Sequence, residues 1–271
     1  MKWTSETLFS WARTHRKSLA RSFFATKQII PSTEKIAIFM AGSPGAGKTE
    51  FISRLLTESQ ESAYYVIDLD QIRQWMPGYR WNYAQEYTKW AIKILEKMLD
   101  ECIENNYNFI LDGTFTNTTV IDRNICRLID RWYVIHIFYI HTQPYVAWVF
   151  TLLRWSDDNR RIPIKEFIRY YHLAYKNILL AEEKYAWKIH IHIAQKIRTK
   201  DDLIELDDTV YDSETLGELN DIFDKKVKYY YNLWEQWFRE KCVFYLTKFI
   251  SLIPFIWKRL LRYIAWVQIQ K

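Results

Sequence analysis

Hydrophobic residues along this chain alternate between two patterns. Short apolar runs are typical of strands buried in a parallel sheet, and segments with apolar residues every three or four positions are typical of helices covering it. The runs that predict strands are residues 35–41, 64–68, 108–115, 132–140 and, with strict alternation, 187–193. The segments that predict helices include residues 49–56, 83–104 and 118–131. The alternation predicts an α/β fold with a mostly parallel central sheet.

The N-terminal stretch, residues 3–34, carries apolar and aromatic positions among many cations. We expect one or two amphipathic helices here, packed on the core and ended by Pro31. A basic helix face also suits nucleic acid, but a solvated surface is its more common use. We therefore predict no specific nucleic-acid partner.

One motif lies between the first predicted strand and the helix after it. Residues 42–49 satisfy the pattern G-x-x-x-x-G-K-[ST] at every fixed position. In such a loop, backbone N–H groups cradle phosphates at a helix N-terminus, the lysine adds a cation and the hydroxyl ligates Mg²⁺. We predict ATP and Mg²⁺ as cofactors; a glycine turn without a ligand is the alternative. The predicted phosphate-binding residues are Gly42, Ser43, Pro44, Gly45, Ala46, Gly47, Lys48 and Thr49.

Three acidic residues follow two of the other predicted strands. Asp68 and Asp70 end the second strand, two positions apart, and Asp112 ends the third. Ligands of open α/β sheets bind at the carboxyl ends of strands, where a phosphotransferase needs a base and a group for the metal. We predict functional roles for all three. The alternatives are a helix N-cap at Asp68 or Asp70 and a turn role for Asp112.

Residues 144–165 predict a helix, a polar break and the start of a second helix. We interpret this segment as a lid that closes over the triphosphate. Its arginines, Arg154, Arg160 and Arg161, are candidates for neutralising the transferring phosphoryl group, because a planar guanidinium binds phosphate through two bonds. The alternative is that they are ordinary exposed arginines of a helical surface.

Composition narrows the class of protein. With 271 residues and 49% hydrophobic residues, the chain can bury a sizeable core, which excludes global disorder. The net charge of +6 suits anionic partners such as nucleotides, or a slightly basic enzyme. The cysteines, Cys102, Cys126 and Cys242, lie too far apart for a metal motif or a disulfide framework. Because the N-terminus also lacks a secretory apolar core, we expect a cytoplasmic protein.

The C-terminal extension, residues 226–271, differs from the rest of the chain. It opens with an aromatic stretch at 229–238, and residues 242–257 hold a single charge, Lys248, followed by a basic cluster. Such a segment suits packing on the core or a partner, or peripheral contact with the inner face of a membrane through 242–271. Pro254 and Lys248 argue against a membrane span.

Taken together, these residues resemble the zeta toxins. The resemblance rests on the phosphate loop, on Ile67-Asp68-Leu69-Asp70 with Arg73, and on a Pro-x-Tyr at 77–79. It also rests on Leu111-Asp112-Gly113-Thr114 and on the lid arginines Arg154 and Arg160 before Pro163. It covers roughly residues 1–215 and implies a kinase of the 3′-hydroxyl of the amino sugar in UDP-N-acetylglucosamine. It further implies a small helical antitoxin as partner.

The resemblance also assigns roles. Lys48 would hold the phosphates, and Thr49 and Asp68 would hold the magnesium, with Asp70 as the base. The residues it places at the sugar nucleotide are Asp68, Arg73, Asp112, Thr114 and Thr116. Two positions depart from the family pattern, which usually has glutamate at Asp112 and arginine at Thr116. Both departures concern the substrate wall.

We therefore predict a three-layer α/β sandwich of the phosphate-loop kinase kind in residues 1–225, with N-terminal helices in 1–34, followed by the extension. The expected activity is that of an ATP/Mg²⁺-dependent kinase of the zeta-toxin type. One alternative is a related kinase acting on another hydroxyl-bearing small molecule or nucleotide. The other is a membrane-attached module in which nucleotide binding drives partner binding.

Overall fold

The computed structural model describes residues 4–26, 29, 31, 33–59, 64–158, 160–198 and 204–207. Helices and strands alternate along these ranges. The helices are α1 (Ser5–Ala25), α2 (Lys48–Ser59), α3 (Leu69–Gln74), α4 (Ala84–Glu104), α5 (Thr118–Ile129), α6 (Pro144–Asp158) and α7 (Ile164–Tyr185). The strands are β1 (Ile36–Ala41), β2 (Tyr65–Asp68), β3 (Phe109–Asp112), β4 (Val134–His141), β5 (Ile189–Arg198) and β6 (Ile204–Asp207). Short 3-10 turns span Trp81–Tyr83 and Ala186–Lys188.

The strands form one sheet in the order β2-β3-β1-β4-β5-β6. The pairings from β2 through to β5 are parallel, and β6 pairs with β5 in the antiparallel direction. Parallel neighbours require crossover connections, which the helices supply. All five parallel strands therefore end at the same edge of the sheet, and β1 lies near its centre.

Helices cover the sheet because both of its faces are apolar. On one face a large cluster joins α1, α4, α5 and α7 to alternate residues of the strands, among them Phe39, Ile67 and Ile137. On the other face α2 packs Phe51 and Ile52 against Ile38 and Met40 of β1. The result is the three-layer arrangement expected when a buried parallel sheet must hide both faces from water.

Helix α1 supplies the N-terminal part of the first layer. Thr4 caps it by accepting a hydrogen bond from the backbone N–H of Thr7, and the Thr7 hydroxyl in turn accepts from the N–H of Thr4. The helix packs on α4, where the rings of Phe9 and Trp90 lie 5.2 Å apart. The sequence left one or two helices open for this region, and the described residues show one.

The predicted lid, residues 144–165, consists of α6, a short break and the start of α7. Pro163 precedes the first turn of α7, where its missing N–H costs nothing and its fixed φ suits the start of a helix. A separate apolar cluster of Ala147, Trp148, Phe167 and Tyr171 holds the two helices together. The helix, polar break and second helix predicted for residues 144–165 are present at those positions.

The predicted α/β fold is confirmed, including its mostly parallel sheet. Strand limits differ from those expected by at most five residues, the largest difference being at the end of β5, which runs to Arg198. In the parts of the chain that the structure describes, no helix combines the length and apolar character needed to cross a membrane. The C-terminal extension, residues 226–271, and its predicted membrane or partner contact lie outside the described residues.

Candidate active site

The phosphate loop leaves β1 at Gly42 and enters α2 at Lys48. Gly45 has a φ of +77°, and a Cβ there would collide with the backbone carbonyl oxygen of Ala147 in α6. Gly42 has a φ of +138°, and a Cβ there would lie 2.7 Å from the carbonyl oxygen of Ile140. Only glycine fits these two positions without strain, so the loop turns tightly above the end of β1.

The ammonium group of Lys48 lies inside this loop. Its Nζ donates hydrogen bonds to the carbonyl oxygens of Gly42, at 3.0 Å, and Ser43, at 2.8 Å. Burial lowers the pKa of Lys48 to about 8; Asp112 opposes this shift, whereas Arg154 and Arg160 reinforce it. A cation held in this state gains free energy when an anionic ligand compensates for its lost hydration.

Two further groups make the loop fit a triphosphate and its metal. The Ser43 hydroxyl is buried and has no hydrogen-bond partner among the described residues, so a phosphate oxygen would satisfy it. Thr49 is exposed in the first turn of α2, beside Lys48, and its hydroxyl is the hard oxygen ligand that Mg²⁺ prefers. The residues present therefore fit ATP and Mg²⁺.

Asp68 and Asp112 are neighbours across the sheet. They are paired register positions at the ends of β2 and β3. Burial raises the pKa of Asp112 to about 6; Lys48 opposes this shift, and the charge of Asp68 reinforces it. Burial also raises the pKa of Asp68, against the pull of Arg160 and Arg73. Two adjacent carboxyls and the loop lysine thus form one charged cluster at the carboxyl edge of the sheet.

Asp68 caps a helix and also belongs to the charged cluster. Its Oδ1 accepts a hydrogen bond of 2.7 Å from the backbone N–H of Asp70 and caps α3. This cap fixes the first turn of α3, and Asp70 lies in that turn, two residues after the end of β2.

Asp70, the predicted base, lies between two arginines. One carboxylate oxygen pairs with Arg73 and the other with Arg160 of the lid. Arg73 is held in turn by Thr88 of α4, whose Oγ1 accepts a hydrogen bond of 2.9 Å from Nη1. Arg160 also stacks over the ring of Trp81, 4.2 Å from its centroid. The lid therefore reaches the predicted base directly.

The other lid arginines differ in their surroundings. The charge of Arg154 lowers the pKa values of Lys48 and of both strand-end carboxyls, which places it at the same cluster. Arg161 instead lies over the ring of Trp155, 5.4 Å from its centroid, within the lid itself. Its phosphate-binding role remains a prediction.

The predicted substrate wall is the loop after β3. The hydroxyls of Thr114 and Thr116 share a hydrogen bond of 2.9 Å. Between them Phe115 is buried with a φ of +57°, a left-handed conformation that a bulky side chain rarely adopts. This conformation turns the two threonines toward each other on one side of the loop.

Several contributors were missed by sequence reasoning. Trp81 stacks on Arg160, Thr142 bonds to the phosphate loop, and Asn177 bonds to the loop after β3. Thr142 follows β4 at the edge of the sheet where ligands bind, so its position was a usable signal. Trp81 follows the Pro-x-Tyr at 77–79 by two residues, so its neighbourhood was a usable signal. Asn177 lies far along the chain from any motif, and no local pattern marks it.

The family of this chain follows from comparison with known proteins. A sequence model of the zeta toxin family matches residues 21–211, which is more than half of the chain. The chain belongs to the zeta toxin family. The chain is also 29% identical over 133 residues to Toxin PezT of Streptococcus pneumoniae serotype 4. That alignment covers 46% of this chain and 52% of PezT, so it spans about half the length of this curated relative.

Solved structures support the fold of this zeta toxin family member. A chain from the PezAT chromosomal toxin–antitoxin system of Streptococcus pneumoniae superimposes with a TM-score of 0.59 at 22% identity. The match covers 78% of this chain and 85% of that one. A chain from the AvrRxo1-ORF1:AvrRxo1-ORF2 complex with sulphate ions superimposes with a TM-score of 0.51 at 11% identity, covering 79% and 70%. At these identities the likeness concerns the fold alone.

Proposed function

We propose that this chain is an ATP- and Mg²⁺-dependent kinase that phosphorylates the 3′-hydroxyl of the amino sugar of UDP-N-acetylglucosamine. The observation that carries the proposal is the pairing of Asp70 with Arg160 of the lid, a residue whose charge also acts on Asp68 and on Lys48 of the phosphate loop. Phosphoryl transfer needs a phosphate cradle, a base and cations over the phosphates, and these groups supply them within one site.

In this mechanism the phosphates lie in the loop against Lys48 and the Ser43 hydroxyl. Thr49 and Asp68 are the residues that would hold the Mg²⁺ ion, which supplies neutralisation of phosphate charge. Asp70 accepts the proton of the acceptor hydroxyl while that oxygen attacks the terminal phosphorus, and the bond to the leaving ADP oxygen breaks. The Asp70 carboxylate must first be released by Arg160, and the triphosphate is the anion that competes for this guanidinium.

The acceptor wall is where this chain departs from the family pattern. The family pattern has arginine where Thr116 stands, and here the Thr116 hydroxyl is bonded to Thr114. The substrate wall accordingly offers two hydroxyls in place of a cation and a shorter acid, Asp112, beside them. This specific difference favours a second candidate, a kinase of another hydroxyl-bearing small molecule or nucleotide.

We also propose that the chain acts as the toxin of a toxin–antitoxin pair, with a small helical antitoxin as its partner. Two findings support this proposal: the chain belongs to the zeta toxin family, and the similar PezAT chain comes from a toxin–antitoxin system. Bacteria expressing the wild type should stop growing or lyse, whereas bacteria expressing Lys48→Ala should grow. Equal growth of the two strains would contradict the proposal that this chain is a toxin.

The direct test is mass spectrometry of UDP-N-acetylglucosamine after incubation with the protein, ATP and Mg²⁺. A product heavier by one phosphoryl group with the wild type, and none with Asp70→Asn, is the expected result. The matched control is Asp100→Asn, at an aspartate of α4 that pairs with Arg127 outside the site. If ATP is consumed only after a cell extract is added, the protein is a kinase whose acceptor is a molecule other than UDP-N-acetylglucosamine.

A further inference from the structure

Helix α7 reaches the phosphate loop through two buried residues. The Tyr171 hydroxyl of α7 donates a hydrogen bond of 3.3 Å to the carbonyl oxygen of Thr142, at the end of β4. The Thr142 hydroxyl in turn donates a hydrogen bond of 2.9 Å to the carbonyl oxygen of Ala46, inside the loop. Thr142 is 3% exposed and Tyr171 4%, so water does not compete for these bonds.

The same helix reaches the loop after β3. Asn177 donates a hydrogen bond of 3.0 Å from Nδ2 to the carbonyl oxygen of Phe115, and its Oδ1 accepts one of 3.0 Å from the Thr118 hydroxyl. Asn177 is 2% exposed. The residue it holds, Phe115, is the one with the left-handed backbone that orients Thr114 and Thr116. Removing the amide would leave a strained turn without its anchor.

These contacts connect one helix to both substrate loops. Since α7 begins at the lid and is packed against α6 by the cluster of Ala147, Trp148, Phe167 and Tyr171, its position depends on that of the lid. The two hydrogen-bonded contacts leave α7 at separate points along the helix and end on different loops. A substitution can therefore remove either contact while leaving the other intact, so their roles can be separated by experiment.

We propose that Thr142 and Asn177 are positioning residues through which α7 sets the two substrate loops, Thr142 the phosphate loop and Asn177 the acceptor loop. The inference rests on the proposed function, because it takes the loop after β3 as the acceptor wall. Neither residue touches a reacting atom. A substitution at Thr142 should therefore change the affinity for ATP alone, and a substitution at Asn177 should change the affinity for the acceptor alone.

The test measures dissociation constants for ATP and for UDP-N-acetylglucosamine by calorimetry on the full chain, which needs no turnover. Thr142→Val keeps the shape and removes the hydroxyl, and we expect ATP to bind about threefold to tenfold more weakly, with the acceptor within about twofold. Thr142→Ser keeps the hydroxyl and should restore wild-type affinity. Asn177→Leu should show the opposite selectivity, weakening the acceptor by a similar factor and leaving ATP unchanged.

A purely structural role predicts a different result, because a loss of folded protein lowers the number of binding sites and leaves both affinities unchanged. That result, or equal changes in both affinities for either variant, would overturn the inference. If Asn177→Leu does not fold, Thr118→Val removes one bond to the same amide at an exposed position. We expect Thr118→Val to weaken acceptor binding as well, by a smaller factor than Asn177→Leu.

Failure of the proposed function gives a distinct outcome. A wild type that binds no ATP refutes the kinase itself. A wild type that binds ATP but not UDP-N-acetylglucosamine shows that the proposed acceptor is wrong. The inference is then tested by ATP binding alone. In that case Thr142→Val must weaken ATP binding while Asn177→Leu does not.

Discussion

The pKa of Lys48 makes a quantitative prediction about the pH dependence of nucleotide binding. Burial lowers this pKa from 10.5 to about 8. Phosphate oxygens favour the charged ammonium, so ATP binding should raise the pKa again and take up a proton wherever Lys48 is neutral beforehand. Affinity for ATP must therefore fall as pH rises through about 8, and should be highest below it.

The magnitude follows from the fraction of Lys48 that is charged before binding. That fraction is about nine-tenths at pH 7 and about one-tenth at pH 9 for a pKa near 8. The dissociation constant for ATP should accordingly rise about tenfold between these two values, which corresponds to about 1.4 kcal/mol. The terminal phosphate of ATP is largely ionised across this range, since phosphate monoesters have a second pKa of about 6.

Calorimetry in buffers of different ionisation enthalpy measures both quantities. At pH 8 we expect an uptake of about half a proton for each ATP bound, and almost none at pH 6.5. Lys48→Arg is the matched control, because a guanidinium stays charged throughout and should give a flat profile even if ATP binds more weakly. A flat profile for the wild type, or the same slope in Lys48→Arg, would refute the reasoning.

Three further predictions concern the loop, the substrate wall and a helix end. Gly45→Ala should abolish detectable ATP binding in calorimetry, because the added Cβ collides with the Ala147 carbonyl at a φ of +77°; binding within about threefold of wild type would contradict the tight packing of loop on lid. Asp112→Asn should raise the free energy of unfolding at pH 7 by at most about 3 kcal/mol in urea titrations, because Asp112 has its pKa raised to about 6 and holds a costly charge above that pH. This gain in stability should vanish below about pH 4. A variant that is less stable than the wild type at pH 7 would contradict the prediction. Trp132→Gly should stabilise the fold by about 1 kcal/mol, because Trp132 is 85% exposed with a φ of +61° where α5 ends; a destabilised variant would mean that the indole packs on something.

Local signals predicted the fold and the position of the phosphate loop at the centre of the candidate site. The pattern of buried strands and the fixed glycines, lysine and threonine of the loop are each encoded within a few adjacent residues. The position of Asp68 and Asp112 followed from a general rule, since parallel strands end at one edge of the sheet. Their register pairing across β2 and β3 agrees with that rule.

Other features depend on contacts between distant parts of the chain. Asp68 was predicted either to function or to cap a helix, and sequence alone could not show that one oxygen caps α3 while the residue stays at the charged cluster. The pairing of Arg160 with Asp70 joins residues 90 positions apart and was not foreseen. Asn177 bonds to Phe115, 62 residues away, and no pattern around either residue predicts that bond.

The central claim is that Asp70 accepts a proton during phosphoryl transfer from ATP to a small molecule. The most direct measurement is transfer of labelled terminal phosphate from ATP into the small-molecule fraction of a bacterial extract, with wild type and Asp70→Asn compared at equal ATP occupancy. We predict a labelled product with the wild type and at least a hundredfold less with Asp70→Asn, the size expected when a general base is removed. Equal labelling by the two proteins, or release of free phosphate alone, would contradict the account.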